Sequence, residues 1–346
     1  MPPHRGPTLL ALGVAAALPL TAQTPATIDQ TSGTTATLIG ISIVSPTVVW
    51  VSGTAGTYLV TIDGGATWRA GVVPGADSLQ FRDVHALDAE TAWLLSAGPG
   101  EASRIYHTRD GGRSWTEQFR NRVVNAFFDC IGFWDRRRGI AVSDAVDGRF
   151  VMVRTEDGAN WTAVAAAALP PAHAGEGMFA ASGTCLALRG DSLAWLGTGA
   201  GNARVLRTRD AGRTWTAAET PVARDGPTRG LASVVFFDDL HGIALGGDVQ
   251  NTAEALDNVA VTSDGGSTWT LAARRTLGAV YGAAAVPGTR TVVAVGPAGA
   301  SWSRDGGGSW TDFETRNYWS VGFAADGTGW MIGRRGLVTR VRFGRR

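Results

Sequence analysis

Apolar positions in this chain fall in short alternating runs separated by glycine-rich turns, and the runs recur as a two-strand unit. Aligned on the middle of the second run, the unit occurs seven times, at Trp50, Trp93, Ile140, Trp195, Ile243, Val293 and Trp330. Twelve residues upstream of these anchors stand Leu38, Phe81, Phe128, Gly183, Leu231, Tyr281 and Tyr318. Two residues further on come Gly40, Asp83, Cys130, Cys185, Ser233, Ala283 and Ser320, small in every copy but the second, which is charged. Val84, Ile131, Leu186, Val234 and Val321, which lie between, are apolar. A period of two with one small face and one greasy face predicts strands wedged tightly together near a common axis.

A turn motif follows the unit in six of the seven copies. It reads Thr61-Ile-Asp63-Gly-Gly-Ala-Thr-Trp68 in the first. It recurs as Asp110 with Trp115, Asp157 with Trp161, Asp210 with Trp215, Asp264 with Trp269, and Asp305 with Trp310. Successive aspartates lie 41 to 54 residues apart. Such a period marks a propeller built one blade per repeat. Asp accepts hydrogen bonds from backbone N–H groups further along the turn, and glycine takes the positive φ that the turn needs. The tryptophan is expected to start the next strand and to pack across its own hairpin. The copy at Asp157 is one residue short, which predicts a tighter turn. Identical turns in every blade read as structural, because one active site does not need six copies of itself.

These patterns predict an all-β chain, a seven-bladed β-propeller of four-stranded antiparallel blades. The seventh unit runs from Tyr318 through Gly329-Trp330-Met-Ile-Gly333 to Phe343 and stops where its turn motif should stand. Closure explains the omission if the segment around Thr34 to Ile39 supplies the outer strand of the last blade.

Composition narrows the picture further. Glycine at 47 and tryptophan at 13 suit an all-β array, and a formal net charge of +1 leaves no field to draw nucleic acid. Arg5 followed by the apolar stretch Thr8–Leu20 and the small residues Thr21-Ala22 reads as a secretory signal over residues 1–22. The stretch is shorter than the roughly 20 residues of a membrane span. The expectation is an exported monomer, periplasmic or extracellular in a bacterium, with no membrane insertion after cleavage. A short linker over 23–33 and one propeller domain over 34–346 complete the organisation.

Function is sought where the repeat breaks its own pattern. Arg82, Asp83, His85, Asp129, Glu176, Ser182, Tyr281 and Trp319 stand where sibling blades carry small or apolar residues, and together they would line a polar and aromatic central mouth. Arg82, Asp83 and Asp129 could equally form a buried ion network that locks neighbouring blades. Cys130 and Cys185 occupy the same aligned position in adjacent blades, so a disulfide and a pair of buried thiols are both compatible with the sequence. No His/Cys spacing of a metal site occurs, and Gly197-Thr-Gly-Ala-Gly201 lacks the spacing of a dinucleotide loop. Neither a metal nor a cofactor is expected.

The turn motif matches the Asp-box, the signature of BNR-repeat propellers. With the Gly-Trp-x-x-Gly strand at Gly329–Gly333, residues 35–343 resemble the photosystem II stability and assembly factors, the Ycf48-like family. That resemblance implies an exported, seven-bladed, non-enzymatic protein that holds membrane-protein subunits during assembly, so a protein partner is expected. A sialidase-like glycoside hydrolase or glycan-binding propeller is the competing expectation, since Asp-boxes are frequent there. No Arg-Ile-Pro segment occurs, and the arginine clamp of those enzymes is therefore unsupported. An oxidoreductase has no cofactor motif behind it.

Overall fold

The computed structural model describes residues 24–343, so the secretory signal expected over residues 1–22 lies outside the described residues. Seven four-stranded antiparallel sheets surround one axis. The inner strands are Leu38–Ile43, Phe81–Ala86, Phe128–Phe133, Leu186–Arg189, Arg229–Phe236, Gly282–Ala285 and Tyr318–Phe323. Each aligned anchor, from Trp50 to Trp330, sits in the second strand of its blade. All-β architecture, seven blades and four strands per blade agree with the repeat count.

A blade is apolar on both faces and buries neither alone, so the core is divided among the seams. Seven apolar clusters result, one between each pair of neighbouring blades. Between blades one and two, Trp50 and Tyr58 meet Phe81, Leu94 and Tyr106. Polar stitches align the seams. The Trp50 indole donates to the Asp88 carbonyl of blade two at 2.9 Å, and the Trp195 indole to the Gly265 carbonyl of blade five at 2.9 Å.

The Asp-box tryptophans belong to these seams. Packing across their own hairpins is the expectation, but each reaches instead toward the anchor of the preceding blade. Trp115 of blade two stands edge-on to Trp50 of blade one, with ring centroids 6.2 Å apart. Trp161 joins the cluster of Trp93, Trp215 that of Ile140, Trp269 that of Trp195, and Trp310 that of Ile243. Trp68 closes the series against Trp330 of blade seven. The reason is area: a short hairpin offers an indole little apolar surface, whereas the seam offers the neighbour's buried second strand. Trp215 and Trp310 donate back to their own turns, at the Gly212 and Gly307 carbonyls, at 3.2 and 3.1 Å. The indole nitrogens of Trp115 and Trp269 are buried without an acceptor, so for them apolar contact is the whole contribution.

The ring closes through the N-terminal strand Ala26–Gln30, which pairs antiparallel with Val338–Arg342 as the outermost strand of blade seven. The sequence pattern points to Thr34–Ile39 for this role, but those residues lead into blade one, where Leu38 and Ile39 already belong to the inner strand. The stretch 23–33, expected to be a linker, therefore contains the closing strand. It carries no apolar alternation because an outer strand faces water: Ile28 is 69% exposed.

Gln30 at the end of that strand holds three groups at once. Its amide donates to the Gly64 carbonyl of the blade-one Asp-box at 3.1 Å, while its oxygen accepts the indoles of Trp68 and Trp330, each at 3.1 Å. Gln118 repeats the device inside the ring, donating to Gly158 and accepting from Trp93 and Trp161. The closing seam thus uses the same chemistry as an internal one. Arg316 adds an ion pair to Asp29 at 2.7 Å.

Deleting residues 24–30 should expose the edge of Val338–Arg342 and make the protein self-associate with concentration, as sedimentation would show. Gln30→Ala should cost about 2 kcal/mol in chemical denaturation, since two indole N–H groups lose their acceptor. A deleted chain that remains monomeric and melts with the full chain would show that closure does not hold the ring.

Candidate binding site at the central mouth

The Asp-boxes lie at the end of the ring away from the mouth. Each box packs on the hairpin that joins the first two strands of its blade, as Gly64 N–H to Thr47 O at 3.0 Å and Gly306 N–H to Arg290 O at 3.0 Å illustrate. Within the first box, Thr67 donates to Asp63 from both its amide, at 2.9 Å, and its hydroxyl, at 2.6 Å, and Thr61 donates at 2.8 Å. These bonds, the Thr67 hydroxyl foremost, hold the Asp63 carboxyl down at about 2. A carboxylate so saturated is a turn lock rather than an acid or base. The same hydroxyl bond recurs at Asp110, Asp210 and Asp264, each at 2.6 Å, and at Asp305 at 2.7 Å. The short third copy is tighter, as its length predicts. Gly158 rather than a residue one further on bonds Thr155 Oγ1, and the Asn160 amide takes the place of the usual hydroxyl on Asp157.

At the opposite end the inner strands carry a shared irregularity. Register slips between Leu38 and Gly40, Phe81 and Asp83, Phe128 and Cys130, Leu231 and Ser233, and Tyr318 and Ser320. The extra residue of each bulge is Ile39, Arg82, Asp129, Ala232 or Trp319. A bulge re-aims the side chain it frees. In blades two, three and seven that side chain is Arg82, Asp129 or Trp319, and all three line one cavity of about 340 Å³. Phe127, Asp144, Phe179 and Tyr281 complete its polar and aromatic wall.

The cavity is blind because the lead-in to blade four crosses the axis. Arg82 donates to Ala180 O at 3.0 Å from blade two, Ser182 donates to Tyr281 O at 2.7 Å before blade six, and Ser320 of blade seven donates to Ser182 O at 3.1 Å. Gly183 sits at φ 78°, and a Cβ there would collide with Asp83 Oδ1. The crossing segment is anchored at both ends. Upstream, the fully buried Glu176 carboxylate pairs with Arg204 and accepts from Thr198 Oγ1 at 2.7 Å and from His173 N–H at 2.9 Å. Downstream, Cys185 is disulfide-bonded to Cys130 of blade three, with Cα atoms 6.4 Å apart. Closing a 55-residue separation stabilises the fold by about 4 kcal/mol on a chain-entropy account.

Four residues expected at the mouth, Arg82, Asp129, Tyr281 and Trp319, are brought together there. The other four lie elsewhere. Asp83 turns between blades to accept the N–H groups of Ile131 and Val84, each at 2.7 Å. His85 lies deeper, its ring 5.4 Å from that of Phe133, and burial lowers its pKa to about 4. Glu176 and Ser182 hold the crossing segment. Asp144, Met178 and Phe179 line the cavity but sit in a second strand and an irregular lead-in, outside the inner-strand positions that the repeat alignment compares. A signal for Asp144 did exist: it is an acidic residue at the mouth end of the second strand Gly139–Val146.

Among the described residues, Arg82, Asp83 and Asp129 form no mutually satisfied ion network. Arg82 is held by Ala180 O and Gln80 Oε1 and lies 5.7 Å from the Trp319 ring centroid. Asp129 is 1% exposed, and its carboxyl has no hydrogen-bond partner beyond the neighbouring Asp144. Burial pushes its pKa well above the carboxylate range; Asp144 reinforces that shift and Arg82 opposes it. Asp144 is likewise raised by burial, to about 6, although Met178 N–H donates to it at 2.6 Å. Ordinary carboxyls titrate near 4. Stability contributed by these protonated groups is therefore complete below about pH 4 and is lost as pH rises, for Asp144 through about 6.

The fold and this mouth define a class: a seven-bladed Asp-box propeller with its channel floored by its own chain. Residues 27–173 match the family model described as photosynthesis system II assembly factor YCF48. Two solved structures share the fold at low identity. The structure titled YCF48 bound to D1 peptide is 19% identical with a TM-score of 0.66, covering 94% of this chain and 99% of the other. YCF48 from Cyanidioschyzon merolae is 18% identical with a TM-score of 0.65, covering 92% and 99%. No curated protein sequence matches the chain. Residues 27–173 are thus similar to that family, and the two solved structures share the seven-bladed fold with this chain.

Asp129→Asn should remove a buried carboxyl that resists ionisation while keeping its shape. The thermal midpoint should then rise by about 3 °C or more at pH 8 and change little at pH 4. An equal shift at both pH values would show that ionisation at this position does not govern stability.

Proposed function

We propose that this protein is an exported, non-enzymatic propeller that holds a protein partner during assembly of a membrane or envelope complex, using the mouth face. The observation that carries the reading is the blind cavity itself. Three of seven equivalent inner strands present large functional side chains there, and a segment fixed by a disulfide and a buried ion pair gives it a rigid floor. Preorganised walls of this kind lower the entropic cost of binding. The loop entering blade three adds an apolar rim, with Val124 78% exposed beside Val123.

Two further observations support the reading. A disulfide at the centre of the fold fits a chain that matures in an oxidising compartment, in keeping with the secretory pattern of residues 1–22. The YCF48 structure in complex with a D1 peptide makes a protein ligand a reasonable assignment for a propeller of this shape. Among the described residues no helix is long and apolar enough to cross a membrane. Contact with a membrane complex would then run through a protein partner.

The mature protein, tagged and exposed to solubilised native membranes, should capture a membrane-protein complex. Arg82→Ala should reduce capture at least tenfold while shifting the thermal midpoint by no more than a few degrees. Normal capture by this variant would remove the mouth from the interface, and turnover of a fluorogenic sialoside would replace the reading with a hydrolytic one.

A further inference from the structure

Beyond a docking role, the mouth has a specific unmet chemical demand. Its two carboxyls are the larger part of that demand, beside the Arg82 Nε and Trp319 Nε1 donors, which are also buried without acceptors. The Asp129 carboxyl is buried with no partner beyond the neighbouring Asp144, and Asp144 lines the same cavity with one further donor, Met178 N–H. Arg82 attracts Asp129 by charge but makes no hydrogen bond to it: its terminal nitrogens reach Ala180 O and Gln80 Oε1, and its Nε finds no acceptor. A buried carboxyl left without partners costs free energy in the empty protein, and that cost is recovered when a ligand brings donors.

The surroundings say what kind of donor. Phe127, Phe179, Tyr281 and Trp319 present aromatic surface around the two carboxyls, and Tyr281 and Trp319 pack edge to face at 5.2 Å. Ring faces attract cations and cover apolar stems. A hydrated metal ion fits poorly, because it needs several oxygen ligands, and among the described residues no group of three or more metal-binding side chains occurs.

We propose that the central mouth is a binding site for an organic cation, an ammonium or guanidinium on an apolar stem, with Asp129 as its principal partner and Asp144 as the second. The cation enters at the open end, its stem lies against Phe179 and Trp319, and its N–H groups meet the Asp129 oxygens. Asp129 ionises as it is paired, so binding releases a proton. Arg82 from the inner strand of blade two and Asp144 from the second strand of blade three are the charged groups that face it, and the Tyr281 hydroxyl stays neutral at physiological pH. Affinity therefore rises with pH until Asp129 no longer has a proton to lose.

The test titrates the full mature protein with phenethylammonium, with its neutral isostere 2-phenylethanol and with calcium, by calorimetry in two buffers of different ionisation enthalpy. Phenethylammonium should bind at least tenfold tighter than the alcohol and release a proton, and Asp129→Asn should weaken it tenfold or more at an unchanged fold. The proposal is overturned if alcohol and amine bind alike, if the variant binds as well as the parent, or if calcium binds and the amine does not. Adding saturating amine to the membrane capture separates the sources of the cation. Displacement of the captured complex assigns the cation to a basic side chain of the partner; persistence assigns it to a free small molecule. Because the titration contains no partner, its failure leaves the assembly reading standing.

Discussion

Everything in this molecule depends on closing the ring. A four-stranded blade has two apolar faces and no stability of its own, so each seam must find its neighbour, including the seam between the last blade and the first. The chain meets that requirement with Ala26–Gln30 added to the outside of blade seven. Gln30 then fastens this strand to the Asp-box of blade one through the Gly64 carbonyl and the Trp68 indole, while accepting the Trp330 indole of its own blade. Once closure is secured, the inner strands converge, and their convergence creates an end-face where side chains from many blades can meet.

That geometry divides the repeat into two kinds of position. Asp-boxes recur in six of the seven blades because each of those blades needs the same lock on its outer hairpin and the same indole in the seam behind it. Their carboxylates are saturated by their own turns. The bulge at the start of the inner strand recurs as well, but its side chain is free of the ladder and can vary. Ile39 and Ala232 are buried outside the cavity lining, whereas Arg82, Asp129 and Trp319 line the cavity. The segment from Ala180 to Thr184 closes the channel behind them. The Cys185–Cys130 disulfide just after it and the Glu176–Arg204 pair just before it anchor the floor without involving the Asp-box side.

The fold was largely legible because burial writes a period into the sequence. Seven anchors and six boxes count the blades, and the alternation around Val84 or Ile131 marks the inner strands. The closing strand was misplaced for the same reason in reverse: Ala26–Gln30 faces solvent and leaves no apolar trace. The box tryptophans were legible as conserved spacing within the repeat, but spacing does not say which side of a blade an indole covers. At the site, Arg82, Asp129, Tyr281 and Trp319 were legible as departures from the repeat. Asp83 and His85 depart equally but face into the structure, because the single-residue slip of the bulge decides which neighbour points at the axis. Asp144 stands four residues after the anchor Ile140, off the inner strands where departures from the repeat are sought, and Phe179 in the lead-in to blade four has no repeat position. A crossing segment held by contacts between distant blades has no local signature at all.

The account rests on the mouth being the working face and the Asp-box end being scaffold. A photo-crosslinking amino acid placed at Phe179 in the cavity wall, and separately at Arg113 in an Asp-box turn, compares the two ends in cells that produce the protein. The account predicts crosslinks to a membrane-complex subunit from position 179 and none from position 113. Crosslinks from position 113 alone would place the working face at the other end of the ring.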